Sequence, residues 1–291
     1  MPHSTRSKRP SALKQKRLTV TDDDGWSHVT TGSNARRTVR GTKATATANA
    51  HTDAVHTSPI LSPAEAPARL TLDELQAQYA AHREQWTASE TWRKLEKVLD
   101  ERVQGMRGTE TSAGAGAGVE AEKCADVDRI VCIGLGSLSG FSRDGWVDRR
   151  SVSMYQLAAL ERIKERVASL NTGPASSTPT AIPVYAQDPI FNSLDRALLE
   201  SMGVTVVEHP VAFENVTRNT LLFCPGAERQ HLELILPSNP GFVFGGPLEN
   251  TQSDVIQGFV ERVGSRVLEP FTVNEHAFWS MRLYFREEKA V

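Results

Sequence analysis

The stretch that decides the fold of this chain is Asp128-Arg-Ile-Val-Cys-Ile-Gly-Leu-Gly-Ser137. Its apolar run at 130–133 is too short for a helix and has the β-branched content of a strand that is buried on both faces. Gly134 and Gly136 end the strand, and a helical pattern follows from about residue 152. A strand that leads through a glycine turn towards a helix is how open α/β sheets present ligands, at the carboxyl ends of their strands.

The rest of the chain repeats this alternation of strand and helix. We predict strands at 129–133, 182–187, 204–208, 220–224 and 241–244, helices at 152–169, around 194–202, at 228–236 and around 254–263, and two late strands at 266–269 and 278–285. Repeated βα units of this length indicate an α/β fold, a Rossmann-like, doubly wound and mostly parallel sheet with right-handed crossovers.

Composition divides the chain into an arm and a domain. Most of residues 1–67 is rich in Ser, Thr, Ala, Gly and Pro. Such a segment buries too little apolar surface to offset its loss of conformational entropy, so we predict a disordered N-terminal arm. The domain is expected over residues 68–291, with an α-helical lead-in at 70–104, a flexible spacer at 107–126, a core at 127–248 and a C-terminal extension at 249–291.

Two helices are predicted in the lead-in. Thr71 or Asp73 is placed to cap the first, and Ser89 stands three residues before Trp92 at the start of the second. Trp86 and Trp92 are expected to anchor the core rather than to stack on a ligand.

The charge balance gives no general reason to expect a nucleic-acid or membrane partner, because the net charge is −2 with the histidines neutral. The exception is the basic tract at 6–17, which is either a nuclear-import or polyanion-binding arm or an ordinary solvated tail. No apolar run approaches the roughly 20 residues that span a bilayer, and no signal-peptide core precedes the domain. We therefore expect a protein of the cytoplasm, the nucleus or both.

The three cysteines, Cys124, Cys132 and Cys224, show no metal-binding or disulfide spacing. Cys132 and Cys224 fall in predicted strands, where a cysteine behaves as a small buried hydrophobe. No metal site is predicted.

The leading candidate for a ligand site is the turn Gly134-Leu135-Gly136-Ser137. Glycines let the backbone approach an anion closely, and Ser137 and Ser139 offer hydroxyls. The dinucleotide fingerprint has a third glycine where this chain has Ser139. The turn is therefore either a cradle for a small anionic or nucleotide-like ligand, or simply a tight connection.

Asp188 is the second candidate, because it follows the strand predicted at 182–187. A carboxylate at that place commonly accepts hydrogen bonds from ribose hydroxyls. The other interpretation is that Asp188 caps the helix that begins near Phe191, and the two interpretations are compatible.

No catalytic residue is predicted. The sequence around Ser139 does not fit a nucleophile elbow, since Ser137 stands where glycine is required. His209 leaves a strand as part of a His-Pro pair, and His231 lies in a short helix, so neither is expected to complete a hydrolase triad.

Several motifs together resemble the sensitivity-to-red-light-reduced (SRR-like) family. Over roughly residues 127–248 they are Ile-Val-Cys-Ile-Gly-Leu-Gly-Ser137, Tyr155-Gln156-Leu157, Gln187-Asp188-Pro189-Ile-Phe191, Leu199-x-x-Met-Gly203-Val-Thr-Val, Asn219-Thr-Leu-Leu-Phe-Cys-Pro225 and the apolar strand to Gly245. The helices of 70–104 and the N-terminal Asp24-Gly-Trp26 also resemble the lead-in of this family.

The chain departs from the family pattern at two places. Many members continue the strand at 220–224 with Pro-His-Cys, whereas this chain has Pro225-Gly226-Ala227, and many have Gly-Asn-Ser where this chain has Gly245-Gly246-Pro247. These variants are similar to fungal-type members.

The resemblance implies an intracellular regulatory protein with an unknown protein partner. Relatives are linked to light and circadian signalling, to haem metabolism and, in fungi, to cytoskeletal phenotypes. The resemblance carries over no catalytic residue, and no cofactor is identified.

Two hypotheses follow. The first is a non-enzymatic or weakly enzymatic regulator that binds a small anionic or nucleotide-like ligand at Gly134–Ser137 and Asp188. The alternative is an S-adenosylmethionine- or nucleotide-dependent enzyme, in which the two late strands form the terminal hairpin of a methyltransferase-like sheet, by analogy of fold alone.

Overall fold

The computed structural model describes residues 17–21, 27–31, 62–108, 127–141, 148–172 and 181–287, of which 17–21, 27–31 and 105–108 are described for the backbone alone. The chain forms two compact units, residues 1–58 and 59–291. The rest of the basic tract before Arg17, and the predicted spacer from residue 109 onwards, lie outside the described residues.

In the first unit the structure describes an antiparallel strand pair. Strand β1 (Arg17–Thr21) pairs with β2 (Ser27–Thr31), with Thr19 opposite Val29. Both strands are rich in Thr and Val, the β-branched residues that suit an extended backbone. The prediction of a disordered arm did not foresee this pair.

The second unit is built on a seven-stranded sheet, and the predicted α/β fold is confirmed. Its strands are β3 (Arg129–Ile133), β4 (Val184–Gln187), β5 (Val204–Val206), β6 (Thr220–Cys224), β7 (Phe242–Gly245), β8 (Val263–Val267) and β9 (Arg282–Arg286). The strand order is β5-β4-β3-β6-β7-β9-β8. Neighbours from β5 to β7 are parallel, and β9 runs antiparallel to both β7 and β8.

Helices cover both faces of this sheet. Those described are α1 (Leu72–Thr87), α2 (Glu90–Gly108), α3 (Arg150–Asn171), α4 (Ser193–Ser201), α5 (Val211–Glu214), α6 (Arg229–Ile235) and α7 (Asp254–Val260), with 3-10 turns at Leu236–Ser238 and Glu275–Phe278. Among the helices that the structure describes, none is long and apolar enough to cross a membrane.

The first two helices begin where the sequence predicted. The Thr71 hydroxyl accepts a hydrogen bond from the Glu74 amide and the Glu74 carboxylate accepts one from the Thr71 amide, which is a capping box. The Ser89 hydroxyl likewise accepts a hydrogen bond of 3.1 Å from the Trp92 amide at the start of α2.

Alternation along the strands produces two apolar cores, one on each face. In β6, Leu221 and Phe223 belong to the core that includes α1 to α4, whereas Leu222 and Cys224 belong to the core that includes α5 to α7. Trp86 is fully buried in the first core, with its ring centroid 4.5 Å from that of Phe278. The two tryptophans of the lead-in are therefore core residues, as predicted.

The last two strands form the terminal hairpin that the analogy with methyltransferase-like sheets predicted. Strand β9 lies between β7 and β8 and runs antiparallel to both, at this end of the sheet. The observed strands are shifted from the predicted 266–269 and 278–285. Gly264 lies within β8, which begins at Val263, and a 3-10 turn at 275–278, followed by a positive φ of 54° at Ser280, precedes β9.

The folded unit also includes residues ahead of the predicted start at 68. Ala64 is buried, and its amide donates a hydrogen bond of 2.8 Å to the carbonyl of Ile190. Glu65 pairs with Phe141 through two backbone hydrogen bonds, of 3.0 and 3.2 Å.

Candidate functional site

The candidate site lies at the carboxyl edge of the sheet, where β3 has β4 on one side and β6 on the other. Ile133, the last residue of β3, is in register with Gln187, the last residue of β4. The order of strands along the chain reverses between β3 and β6, and in open α/β sheets ligands bind in the crevice at such a reversal.

The turn after β3 needs both of its glycines. Gly134 has a φ of 72° and Gly136 a φ of 82°, a left-handed backbone that other residues adopt only at a cost. A Cβ atom on Gly134 would lie 2.5 Å from the carbonyl carbon of Gly226, in the turn after β6. Gly226, which has no side chain, therefore permits direct backbone contact between the two turns.

The next part of the turn is filled by a carboxylate of the chain itself. Asp195, on α4, is fully buried. One of its oxygens accepts hydrogen bonds from the amides of Leu138 (3.1 Å) and Ser139 (2.8 Å) and from the Ser139 hydroxyl (2.7 Å), and the other accepts from the Ser137 hydroxyl (2.6 Å) and the Asn192 amide (3.2 Å). The hydroxyls expected to face a bound anion thus face Asp195.

The helix that carries Asp195 is capped by Asn192 and not by Asp188. The Asn192 side-chain oxygen accepts hydrogen bonds from the amides of Leu194 (2.9 Å) and Asp195 (3.0 Å). Asp188 instead bends the connection between β4 and α4, because its carboxylate accepts a hydrogen bond of 3.1 Å from the Ile190 amide.

Asp188 also contacts the glycine turn. Its second oxygen accepts a hydrogen bond of 2.8 Å from the Gly136 amide. The side chain is half-buried, and loss of solvation raises its pKa above the ordinary value. The amides of Gly136 and Ile190 and the charge of His231 act in the opposite direction. A carboxylate has about four acceptor positions, so two amide partners leave it able to accept further hydrogen bonds.

An aromatic group borders this edge. The Gln187 side-chain oxygen accepts a hydrogen bond of 3.3 Å from the Ala212 amide, which directs the Gln187 amide nitrogen to Nδ1 of His209, also at 3.3 Å. The network therefore assigns the proton of neutral His209 to Nε2. The Phe213 ring stands edge to face with His209 at 5.0 Å and with His231 at 5.6 Å.

These contacts separate the predicted site residues by role. Gly136 and Asp188 are joined directly, Ser137 bonds to Asp195, and the Leu135 side chain is buried in the core, so that only its backbone borders the turn. Sequence reasoning missed Asp195. The spacing Asn192-x-x-Asp195 signals a capping box, but no local pattern indicates that the same carboxylate also reaches the turn after β3.

The nucleophilic side chains described at this edge are hydrogen-bonded or protonated. The Ser137 hydroxyl donates to Asp195, so it has no histidine as a base. Within the described ranges no group of three His, Cys, Asp or Glu residues could hold a metal ion. Burial raises the pKa of the Cys132 thiol and raises that of Cys224 to about 12, so both thiols are protonated at neutral pH.

Fold and site together define a doubly wound α/β protein with a candidate ligand site where the strand order reverses. The profile of the SRR1 domain family matches residues 94–285, which is more than half of the chain. The chain therefore belongs to the SRR1 domain family, as the sequence motifs predicted. A comparison with curated proteins finds no match.

The family match is wider than the motifs quoted above. It begins within α2 and ends in β9, so it includes the end of the lead-in and the terminal hairpin. Membership favours a regulatory protein. The assignment to the fungal-type members stays a prediction.

Proposed function

We propose that this chain is an intracellular regulatory protein whose SRR1 domain binds a nucleotide-like ligand at the carboxyl edge of the sheet. In this proposal Asp188 accepts hydrogen bonds from sugar hydroxyls, and the Gly134-Leu135-Gly136-Ser137 turn forms the adjacent wall. The observation that carries the proposal is the position of Asp188. It is a half-buried carboxylate with unused acceptor capacity at the reversal of strand order.

The aromatic group supports the same type of ligand. His209, Phe213 and His231 offer ring surfaces beside this edge, and His209 has a donor on Nε2. A flat heterocycle stacks favourably on such rings, whereas an aliphatic ligand gains nothing from their polar edges. A nucleoside combines the two features, a flat base and vicinal hydroxyls.

The charge of the turn favours the nucleoside part of the ligand over its phosphate. The amides of Gly136, Leu138 and Ser139 already donate to carboxylates of the chain. A phosphate placed there would face Asp188 and Asp195, and like charges at short range in a partly buried site repel strongly. In this proposal the phosphate groups, if the ligand has any, extend towards solvent.

Thermal unfolding of the chain tests this proposal. Adenosine, nucleotides, NAD, S-adenosylmethionine and haem are compared, and a nucleoside-containing ligand at a hundred times its dissociation constant should stabilise the fold by roughly 2.7 kcal/mol. The shift should disappear in Asp188→Asn and persist in Asp73→Asn, a matched change at an exposed aspartate of α1. A shift of equal size in Asp188→Asn, or no shift with any nucleoside, contradicts the proposal.

A second candidate function rests on the terminal hairpin. The order β7-β9-β8, with β9 antiparallel, is the feature by which this sheet is analogous to methyltransferase-like sheets. An S-adenosylmethionine- or nucleotide-dependent enzyme is thus the alternative, and it depends on fold analogy alone. A ligand that binds and is then consumed would favour the enzyme. A ligand recovered unchanged after long incubation would favour the regulator.

The location in the cell, and the part that the basic tract plays in it, belong to the same proposal. The six lysines and arginines from Arg6 to Arg17 are placed to direct the protein to the nucleus or to bind a polyanion. A fluorescent fusion that lacks residues 1–20 should lose nuclear signal relative to the full chain. An unchanged distribution would assign the tract to an ordinary tail.

A further inference from the structure

A second concave site lies at the same edge of the sheet, between the turns that follow β6 and β7. It is a cavity of about 210 Å³. Its walls include the apolar side chains of Pro225, Ala227, Leu232 and Leu248, and Arg229 and Thr251 contribute polar groups to its lining. Its lining thus combines apolar side chains with a few polar groups, a combination that occurs in sites for small molecules.

The charge in the lining of this cavity is positive. Of the described residues that line it, only Arg229 is charged. The Cys224 thiol at its floor is protonated at neutral pH, because burial raises its pKa to about 12. Among the described residues the lining therefore presents one guanidinium, and the carboxylate of its neighbour Glu233 lies outside the lining.

The Arg229 guanidinium is held only weakly by the chain. Its Nη1 is 3.5 Å from the carbonyl of Gln252, and its Nε is 3.6 Å from a carboxylate oxygen of Glu233, both at the long end of the range for such contacts. The Glu233 contact joins residues i and i+4 on the surface of α6, a type of pair that contributes only a few tenths of a kcal/mol. An incoming anion can therefore take the place of either partner at small cost.

We propose that this cavity binds a small monocarboxylic acid, whose carboxylate pairs with Arg229 and whose apolar group fills the space between Ala227, Leu232 and Leu248. The planar fork of a guanidinium matches the two oxygens of a carboxylate. A phosphate dianion fits less well, because one arginine neutralises only part of its charge and the apolar side chains of the wall cannot solvate the rest. The proposed site shares no residue with the nucleoside site at Asp188, so it stands or falls independently of the function proposed above.

Ligand-observed NMR titration of the full chain tests this proposal. The probes are acetate, butyrate, benzoate, inorganic phosphate and butyramide, the last being a neutral analogue of butyrate. Affinity should rise from acetate to butyrate or benzoate as apolar area is buried. Butyramide should bind at least about tenfold more weakly than butyrate, because it cannot make the charge-assisted pair.

Three variants locate the binding. Arg229→Gln should weaken butyrate at least about tenfold, and Ala227→Leu should abolish benzoate binding by filling the cavity while leaving the charge in place. Arg266→Gln, which removes an exposed arginine of β8, is the matched control and should change neither affinity. Arg229 is 62 % exposed, so its replacement should not impair folding, which the thermal midpoint of each variant verifies.

Four outcomes would overturn the proposal. They are no measurable carboxylate binding, equal affinity for butyrate and butyramide, phosphate bound as tightly as butyrate, and equal loss in the Arg229 and Arg266 variants. The nucleoside titration described above is repeated on Arg229→Gln and should be unaffected. Failure of one site is thereby distinguished from failure of the other.

Discussion

Asp188 and Asp195 both accept hydrogen bonds from the same glycine turn, but they differ in burial and in the number of their partners. Asp195 is fully buried and accepts five hydrogen bonds from the turn and from the start of α4. Asp188 is half-buried and accepts two, both from backbone amides. The first carboxylate is saturated by the protein, whereas the second retains acceptor capacity at an edge that a ligand can reach.

This difference changes how a glycine-rich turn after a strand is interpreted. Such a turn offers amide and hydroxyl donors, and an anion of some kind must satisfy them if they are buried. In this chain Asp195 supplies the anion for Ser137, Leu138 and Ser139. Although this turn resembles a phosphate cradle, it therefore links β3 to α4. Asp188 is the better candidate for contact with a ligand.

The largest effect is expected for Asp195→Ala, which removes the saturated carboxylate. Three amides and two hydroxyls would lose this acceptor, so we expect a loss of about 3–5 kcal/mol in the free energy of unfolding. Urea unfolding followed by circular dichroism measures it. Asp188→Ala should cost less than half as much, and equal losses would show that the two aspartates do not differ as described.

A somewhat smaller loss is expected when the turn itself is changed. Gly134→Ala should lose about 3 kcal/mol, from the left-handed backbone and from contact of the new Cβ with the Gly226 backbone. Gly203→Ala is the matched control, because Gly203 has a similar φ of 69° but its Cβ would meet only the end of the Lys164 side chain, at 3.6 Å. It should lose about 1 kcal/mol. Similar losses in both variants would mean that the contact between the turns is dispensable.

The half-buried carboxylate should show itself in the pH dependence of stability. Burial raises the pKa of Asp188 above 3.8, so the folded state holds its proton more tightly than the unfolded state does. This contribution to stability is complete below the ordinary pKa and is lost as the pH rises through the raised value. Relative to Asp188→Asn, which should itself cost about 1 kcal/mol, the natural chain should therefore lose stability between acid and neutral pH.

Urea midpoints of the two proteins, measured across that pH range, give the difference. A difference that is constant with pH would show that folding does not raise the pKa of Asp188. Binding of a nucleoside should follow the opposite direction, since the charged carboxylate is the better acceptor for hydroxyl donors.

The smallest effect is expected for a third carboxylate joined to α4. Glu208 is 78 % exposed on its side chain and pairs with Arg196 at 2.6 Å. Glu208→Gln should change the free energy of unfolding by less than about 0.5 kcal/mol, because an exposed ion pair gains little over solvation by water. A loss comparable to that of Asp195→Ala would indicate that the contribution of these carboxylates to stability does not depend on their exposure.

The fold was predictable from the sequence because its signals are local. Apolar runs such as 220–224 and 241–244 mark buried strands, and glycines such as Gly134 and Gly203 mark where an element ends. Asp188 was predictable for the same reason, since its position follows from the end of one strand.

What could not be predicted depends on contacts between distant residues. Nothing in the sequence next to Gly226 indicates that its backbone meets Gly134, and nothing next to Asp195 indicates that it lies 2.6 Å from the Ser137 hydroxyl. The cavity beside Arg229 is likewise formed by two turns that meet only when the parallel strands align. Such contacts arise from register and packing, which single-strand patterns do not encode.

The folded domain is larger than the segment that matches the family profile. The match begins at residue 94, yet Trp86 fills the core against Phe271 and Phe278, and Ala64 accepts a hydrogen bond of 3.1 Å from the cap residue Asn192. A recombinant fragment cut to the family limits would expose those two aromatic rings to water and would be prone to aggregate. A fragment for expression should therefore start before Ala64. It should include helix α1, whose Trp86 belongs to the core of the domain.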